Sequence, residues 1–204
     1  MQKYYTTDFL TKNMNSNNGE LEQYHIRDDH EAIIPRDEWD AVQLELARRD
    51  EFRKRHRIKN IGSSKYDPFY SRVFCARCGG KLIRKHWKGV REAFWKCENA
   101  EAKNGKSCLA GNVTEEYLKK AVAAAWNGIV EEREERLPGW LRKESEGNAL
   151  ERYRAKLMTE VTADGPIEKE IPKLTRMFLE EIEVESSSEI VVRFLDGSEK
   201  KVRI

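Results

Sequence analysis

All four cysteines of this 204-residue chain fall within residues 75–108, and their spacing limits what the middle of the chain can fold into. In Cys75-Ala76-Arg77-Cys78 two thiols stand close enough along the backbone to grip one ion. Gly79-Gly80 then lets the chain turn its N–H groups toward the sulfurs. Cys97 lies 19 positions after Cys78, and Cys108 a further 11 positions on, so the second pair is more widely spaced than the first. The segment 66–112 has few aliphatic side chains, and a unit that small buries too little surface to fold unaided. Zinc on four thiolates supplies an apparent ~10–16 kcal/mol in small peptides, as much as a whole domain's stability. The expectation is a structural Zn2+ held by Cys75, Cys78, Cys97 and Cys108. Four thiolates close the coordination sphere and leave no position for a reactive water. His86 is the alternative ligand, and four incidental buried thiols are the bland alternative.

Charge is unevenly spread. The formal net charge is only +2, yet charged residues make up 36% of the chain, above the roughly 25% of an ordinary domain, so small cores under charged surfaces are expected. Between Ala47 and Lys59 seven basic residues face two acidic ones; from Arg72 to Lys106 the ratio is ten to three. From Asp164 onward it reverses to seven basic against ten acidic. A polyanion-facing middle and a differently employed tail follow from that split. No apolar run approaches the ~20 residues needed to span a bilayer, and no charged-then-apolar leader opens the chain, so no membrane role is expected.

The element signals read as follows. YYTTDFL and LEQYHI flank the turn-rich NMNSNNGE, suggesting a hairpin or a pair of edge strands. A helix is expected after Pro35, with Trp39, Val42, Leu46 and Phe52 as its apolar stripe and a basic end. FYSRVFC, GGKLIRKHW and REAFWKC read as short strands. Thr114 is a capping residue for a helix whose face carries Leu118, Val122, Ala125, Trp126 and Ile129. Leu137-Pro138-Gly139 should break that helix, and a second should cover 141–161, with Leu150, Tyr153 and Leu157 on one side. A short helix before Glu181 and a closing hairpin, EIVVRF and EKKVRI turned by Asp196-Gly197, complete the chain.

QKYYTTDFLTK with NNGE, HEAIIPRDEWDAVQ, CARCGGKL with FWKC, and IVVRFLDGSE, in that order, resemble the large serine recombinases of phages and mobile elements. The resemblance covers nearly the whole chain and runs from the end of the recombinase domain through the zinc ribbon domain. It implies an α+β fold: a zinc β-ribbon with an inserted helical hairpin (the coiled-coil arm), preceded by a small α/β tail of the recombinase domain. The implied boundaries are 1–58 for that tail and its basic linker and 59–204 for the zinc ribbon domain. Within the latter, 66–112 is the ribbon, 114–163 the arm, and 168–204 a short helix with the closing hairpin. The family cuts and rejoins DNA at attachment sites through a catalytic domain bearing a nucleophilic serine, which is expected outside these 204 residues. The fragment itself is therefore not expected to be an enzyme. Its implied partners are attachment-site duplex DNA and, through the arm, other recombinase subunits, in the cytoplasm of a bacterial host and at its nucleoid. The arm candidate lacks sustained heptads.

On that reading the DNA contacts fall to two groups. Arg48, Arg49, Arg53, Lys54, Arg55 and Arg57 suit phosphate contact, where guanidinium groups fork onto oxygens and counterions are released. The bland reading of that cluster is a solvated helix end. Lys81, Arg84, Lys85, His86, Lys88 and Arg91 lie on a hairpin that a major groove accepts. Trp87 and Trp95 read as ribbon core, and Trp126 and Trp140 as core rather than exposed tips. No catalytic constellation surrounds the histidines. The competing functions are a zinc-stapled protein-interaction scaffold and an RNA-binding ribbon.

Overall fold

The computed structural model describes residues 3–22, 31–58, 67–86, 92–101, 108 and 111–203. The chain divides into two compact units, Met1–Arg36 and Asp37–Ile204. In the first, β1 (Tyr4–Thr6) and β2 (Met14–Ser16) form an antiparallel hairpin. Asp8 shapes its loop: Oδ1 accepts from the Leu10 backbone at 3.0 Å and Oδ2 from the Thr11 hydroxyl at 2.8 Å. The returning strand therefore lies in the stretch read as a turn, and most of LEQYHI falls outside the described residues.

The second unit begins within the first turn of α1 (Arg36–Arg55), a helix that starts just after Pro35 as expected. Three short strands follow: β3 (Val73–Cys75), β4 (Leu82–His86) and β5 (Ala93–Cys97). Next come β6 (Val113–Thr114), α2 (Glu115–Glu131), α3 (Arg133–Glu146), α4 (Ala149–Val161) and α5 (Pro172–Phe178). The chain ends in β7 (Leu179–Val184), β8 (Glu189–Phe194) and β9 (Glu199–Arg203).

Two sheets result. β4-β5-β6 is the antiparallel ribbon, with Leu82 opposite Cys97 and Arg84 opposite Trp95. The other sheet has the order β3-β7-β8-β9, in which β3 runs parallel to β7 and pairs Val73 with Ile182 and Cys75 with Val184. α2 lies over β8 and β9 and buries Leu118, Ala121, Val122, Ala125, Trp126 and Ile129. Thr114 caps it as expected, its hydroxyl accepting from the Tyr117 N–H at 3.1 Å. Trp95, Trp126 and Trp140 are all buried, whereas Trp87 lies outside the described residues.

Three helical features also differ from expectation. The helical break falls at Glu132, not at Pro138: α3 starts at Arg133 and runs through Pro138, whose missing N–H removes one intrahelical hydrogen bond. The helix expected over 141–161 stops at Glu146 and restarts at Ala149, because Asn148 and Glu151 form a capping box. Residues 114–163 are thus three helices; α3 packs along α4, while α2 belongs to the core. Finally, the apolar stripe of α1 is only half-covered: Trp39, Val42 and Leu46 are 51%, 48% and 54% exposed, while Phe52 at its end is half-buried. That helix docks through Ala41, Glu45, Arg48 and Phe52, with Phe52 and His56 stacking toward Phe74 at ring distances of 6.0 and 3.8 Å.

Candidate metal centre and nucleic-acid interface

The four cysteines converge because both sheets deliver them. Cys75 ends β3, Cys97 ends β5, Cys78 lies in a turn closed by the Gly79 N–H on the Cys75 carbonyl (2.8 Å), and Cys108 donates its backbone N–H to the Asn99 carbonyl (3.0 Å). All four sulfurs lie within 4.8 Å of one another, with Cys75 to Cys108 at 3.6 Å and Cys78 to Cys97 at 3.4 Å. A tetrahedral ion with metal–sulfur bonds of about 2.3 Å needs sulfur–sulfur edges of roughly 3.8 Å, so the cluster fits with small adjustment. The donor set is consistent with a bound metal, and four soft thiolates favour zinc. His86 is not in the cluster; its Nε2 lies 3.1 Å from the Arg84 guanidinium.

The thiols are unequal. Burial pushes Cys75 and Cys97 up. At Cys78 burial also pushes upward, but the Asn99 amide and the Gly80 N–H outweigh it and bring this thiol to about 7. A dication at the centre would relieve the cost of ionising the buried pair. Asn99, which sequence reading missed, donates to the Cys78 sulfur at 3.4 Å. Its only sequence signal is a polar residue two positions after a ligand-type cysteine.

Gly80 is tightly constrained here: an added Cβ would stand 2.6 Å from the Asn99 amide nitrogen and 3.3 Å from the Cys78 sulfur. Gly80→Ala is therefore expected to displace Asn99 and lose its hydrogen bond to the sulfur, costing about 1–3 kcal/mol. A chelator competition should register faster metal loss from this variant; an unchanged rate would show that Asn99 does not support the centre.

The basic residues expected to face a polyanion are only partly free to do so. On α1, Arg48 and Arg49 are committed to Glu45, and Arg48 also to Glu180 at 3.1 Å. Burial alone would raise the Glu45 carboxyl, but these guanidinium groups and Arg154 pull it down to about 2. Lys54 pairs with Asp50, and Arg55 sits over the Phe52 ring and 3.8 Å from Glu180. Arg53 and Arg57 are exposed and make no ion pair among the described residues. On the ribbon, Lys81 approaches Glu98 at 3.8 Å and Arg84 meets Glu115 at 2.6 Å. β4 is an edge strand of its sheet, and after buried Leu82 its residues Ile83, Arg84, Lys85 and His86 are all exposed. Lys88 and Arg91 lie outside the described residues.

No helix among the described residues is long and apolar enough to cross a membrane. No match is found among curated proteins or among solved structures. Residues 68–127 match the family model of the recombinase zinc beta ribbon domain, a span that holds all four cysteines, β3 to β6 and most of α2. This stretch of the chain is thus similar to the zinc ribbon of recombinases, and the likeness points to a role in recombination.

Proposed function

We propose that this chain is the DNA-recognition part of a serine site-specific recombinase. It would bind duplex DNA at attachment half-sites while a catalytic domain outside these residues performs strand exchange. The observation that carries this reading is the recombinase-type ribbon itself, in which a four-cysteine cluster lies beside an edge strand whose residues after Leu82 are all exposed. Cys75, Cys78, Cys97 and Cys108 would hold Zn2+, which fixes the ribbon and takes no part in bond breaking. Lys81, Arg84, Lys85 and His86 would then meet one groove, with Lys88 and Arg91 expected on the same hairpin. Arg53 and Arg57 suit phosphates better than their neighbours, because no carboxylate among the described residues pairs with them. Arg48 acts mainly in joining α1 to the rest of the unit through Glu180, and Arg49 is held by Glu45 on the same helix. The α3–α4 pair, with Leu141 and Tyr153 exposed, would supply subunit contacts.

Selection from a pool of random duplexes, followed by binding across a salt titration, tests this. A conserved sequence should be enriched, and roughly four phosphate contacts would lower affinity about 100-fold between 50 and 200 mM salt. Equal binding of the enriched and scrambled duplexes would reject sequence recognition. Preferential binding of hairpin RNA would favour an RNA-binding ribbon, and salt-resistant self-association without DNA affinity would favour a protein-interaction scaffold. Strand cleavage by this chain alone would contradict the reading.

A further inference from the structure

A cleft of about 430 Å³ opens between α1, α4 and the end of α5, away from the cysteine cluster. Its size is that of a small-ligand site. Much of its wall is apolar, formed by Val42 and Leu46 on one side and Leu157 and Met177 on the other. Five arginines also line it (Arg48, Arg49, Arg72, Arg154 and Arg176), against three carboxylates. Glu45 takes up three of these guanidinium groups: Arg48 in a two-bond fork at 3.0 and 3.1 Å, Arg49 at 2.6 Å and Arg154 at 2.6 Å.

Arg72 is placed differently. Its Nη1 donates to the carbonyls of Leu179 at 2.8 Å, Arg176 at 3.4 Å and Thr175 at 3.5 Å, which closes the end of α5. No carboxylate lies within ion-pair distance of it among the described residues, and its Nε–Nη2 edge makes no hydrogen bond there. That edge is one of those that fork onto a carboxylate. Burial, then the nearby Arg49 and Arg48 charges, pull the Arg72 guanidinium down to about 10. A cation so placed gains from an anion that water need not follow, and the apolar wall beside it favours an anion with a hydrocarbon body.

We propose that this cleft binds an apolar carboxylate, with its charged end on the Nε–Nη2 edge of Arg72 and its hydrocarbon part along Val42, Leu46, Leu157 and Met177. The site is separate from the DNA-binding reading and does not depend on it. The carboxylate comes either from a free organic acid or from an acidic side chain flanked by apolar residues in a polypeptide.

Nuclear magnetic resonance on the full zinc-loaded chain tests this with four probes: 4-phenylbutyrate, its neutral amide, inorganic phosphate, and a blocked Leu-Glu-Leu peptide. The expected result is a millimolar or tighter dissociation constant for the carboxylates, with shifts confined to cleft residues, and binding of the amide weaker by ~10-fold or more. Tighter binding of the peptide than of phenylbutyrate identifies a polypeptide source, and the reverse a free acid. Arg72→Lys keeps the charge but removes the fork and should weaken carboxylate binding several-fold. Val42→Trp, at a half-exposed position that tolerates bulk, should fill the cleft and abolish binding with the melting temperature unchanged; it decides the matter if Arg72→Lys fails to fold. Equal binding of acid and amide, equal binding of inorganic phosphate, shifts elsewhere, or full binding by Val42→Trp would overturn the proposal.

Discussion

Replacing Cys97 by serine is expected to strip the metal from the chain and unfold the ribbon as a unit. Cys97 is buried at the end of β5, 3.4 Å from the Cys78 sulfur, and pairs in register with Leu82 of β4. A serine hydroxyl does not ionise near neutral pH and is a poor ligand for a soft site, so three thiolates would remain around an opened sphere. Zinc binding worth an apparent ~10–16 kcal/mol equals or exceeds a typical domain stability of about 5–15 kcal/mol. Little apart from Leu82, Phe94, Trp95 and Val113 is left to hold β4, β5 and β6 together once the ion is gone. Metal content should fall from about one equivalent to near zero, and amide exchange protection should vanish across β4 and β5. The pH dependence has a definite sign. The metal-bound form needs all four sulfurs deprotonated, so protons compete with the ion and the wild-type chain should lose metal as pH falls. Burial raises the Cys75 and Cys97 thiols, so in the metal-free chain these are protonated at neutral pH and must release protons on binding. Full metal content and an unchanged melting curve for Cys97→Ser would defeat the assignment of the centre.

What the sequence made legible was local. The Cys75–Cys78 turn, the Thr114 cap and the Asp196-Gly197 hairpin each depend on residues a few positions apart; Gly197 adopts the positive φ of +90° that its turn requires. What stayed hidden depends on distant partners. β7 carries no strand signal in the sequence because LEEIEV is half glutamate, yet Leu179, Ile182 and Val184 face the core while Arg193 gathers Glu181, Glu183 and Glu199 on the same sheet at 2.7 to 2.8 Å. Its pairing with β3 spans more than a hundred residues, beyond any local signal. The half-covered stripe of α1 has a similar cause. Periodicity identifies an apolar face but not what covers it, and here the helix is held by Glu45 to Arg154, Arg48 to Glu180 and the Phe52–His56–Phe74 stack. The same pairings explain why the α1 basic cluster is less available to a phosphate than its sequence implies. Cys108 was recognisable as a ligand by type, but its place beside Cys75 comes from a backbone bond to Asn99 that spacing does not reveal.

Trp126→Ala should produce the largest loss of stability that leaves the metal in place. Trp126 is fully buried on α2, with its ring 5.2 Å from Phe178 and 6.1 Å, edge-on, from Phe194. It therefore joins α2, α5 and β8 at one point. Truncating a buried tryptophan removes the transfer energy of the indole and leaves a cavity the surroundings fill only in part, at a cost of ~3–5 kcal/mol. For a chain of this size the melting temperature should fall by roughly 6–20 °C. Trp39→Ala is the control: that ring is half-exposed on α1, so its loss should cost under about 1 kcal/mol. Below its melting point Trp126→Ala should still retain metal, because the cysteines are carried by β3, β5 and the turns beside them rather than by α2. Thermal melts monitored by circular dichroism, run alongside metal analysis, separate two supports of the fold: an ion that holds the ribbon and an aromatic cluster that holds the helices to the sheet. If Trp126→Ala melted with Trp39→Ala, the aromatic cluster would not be the core of this unit. If it released metal while still folded, the two supports would be one.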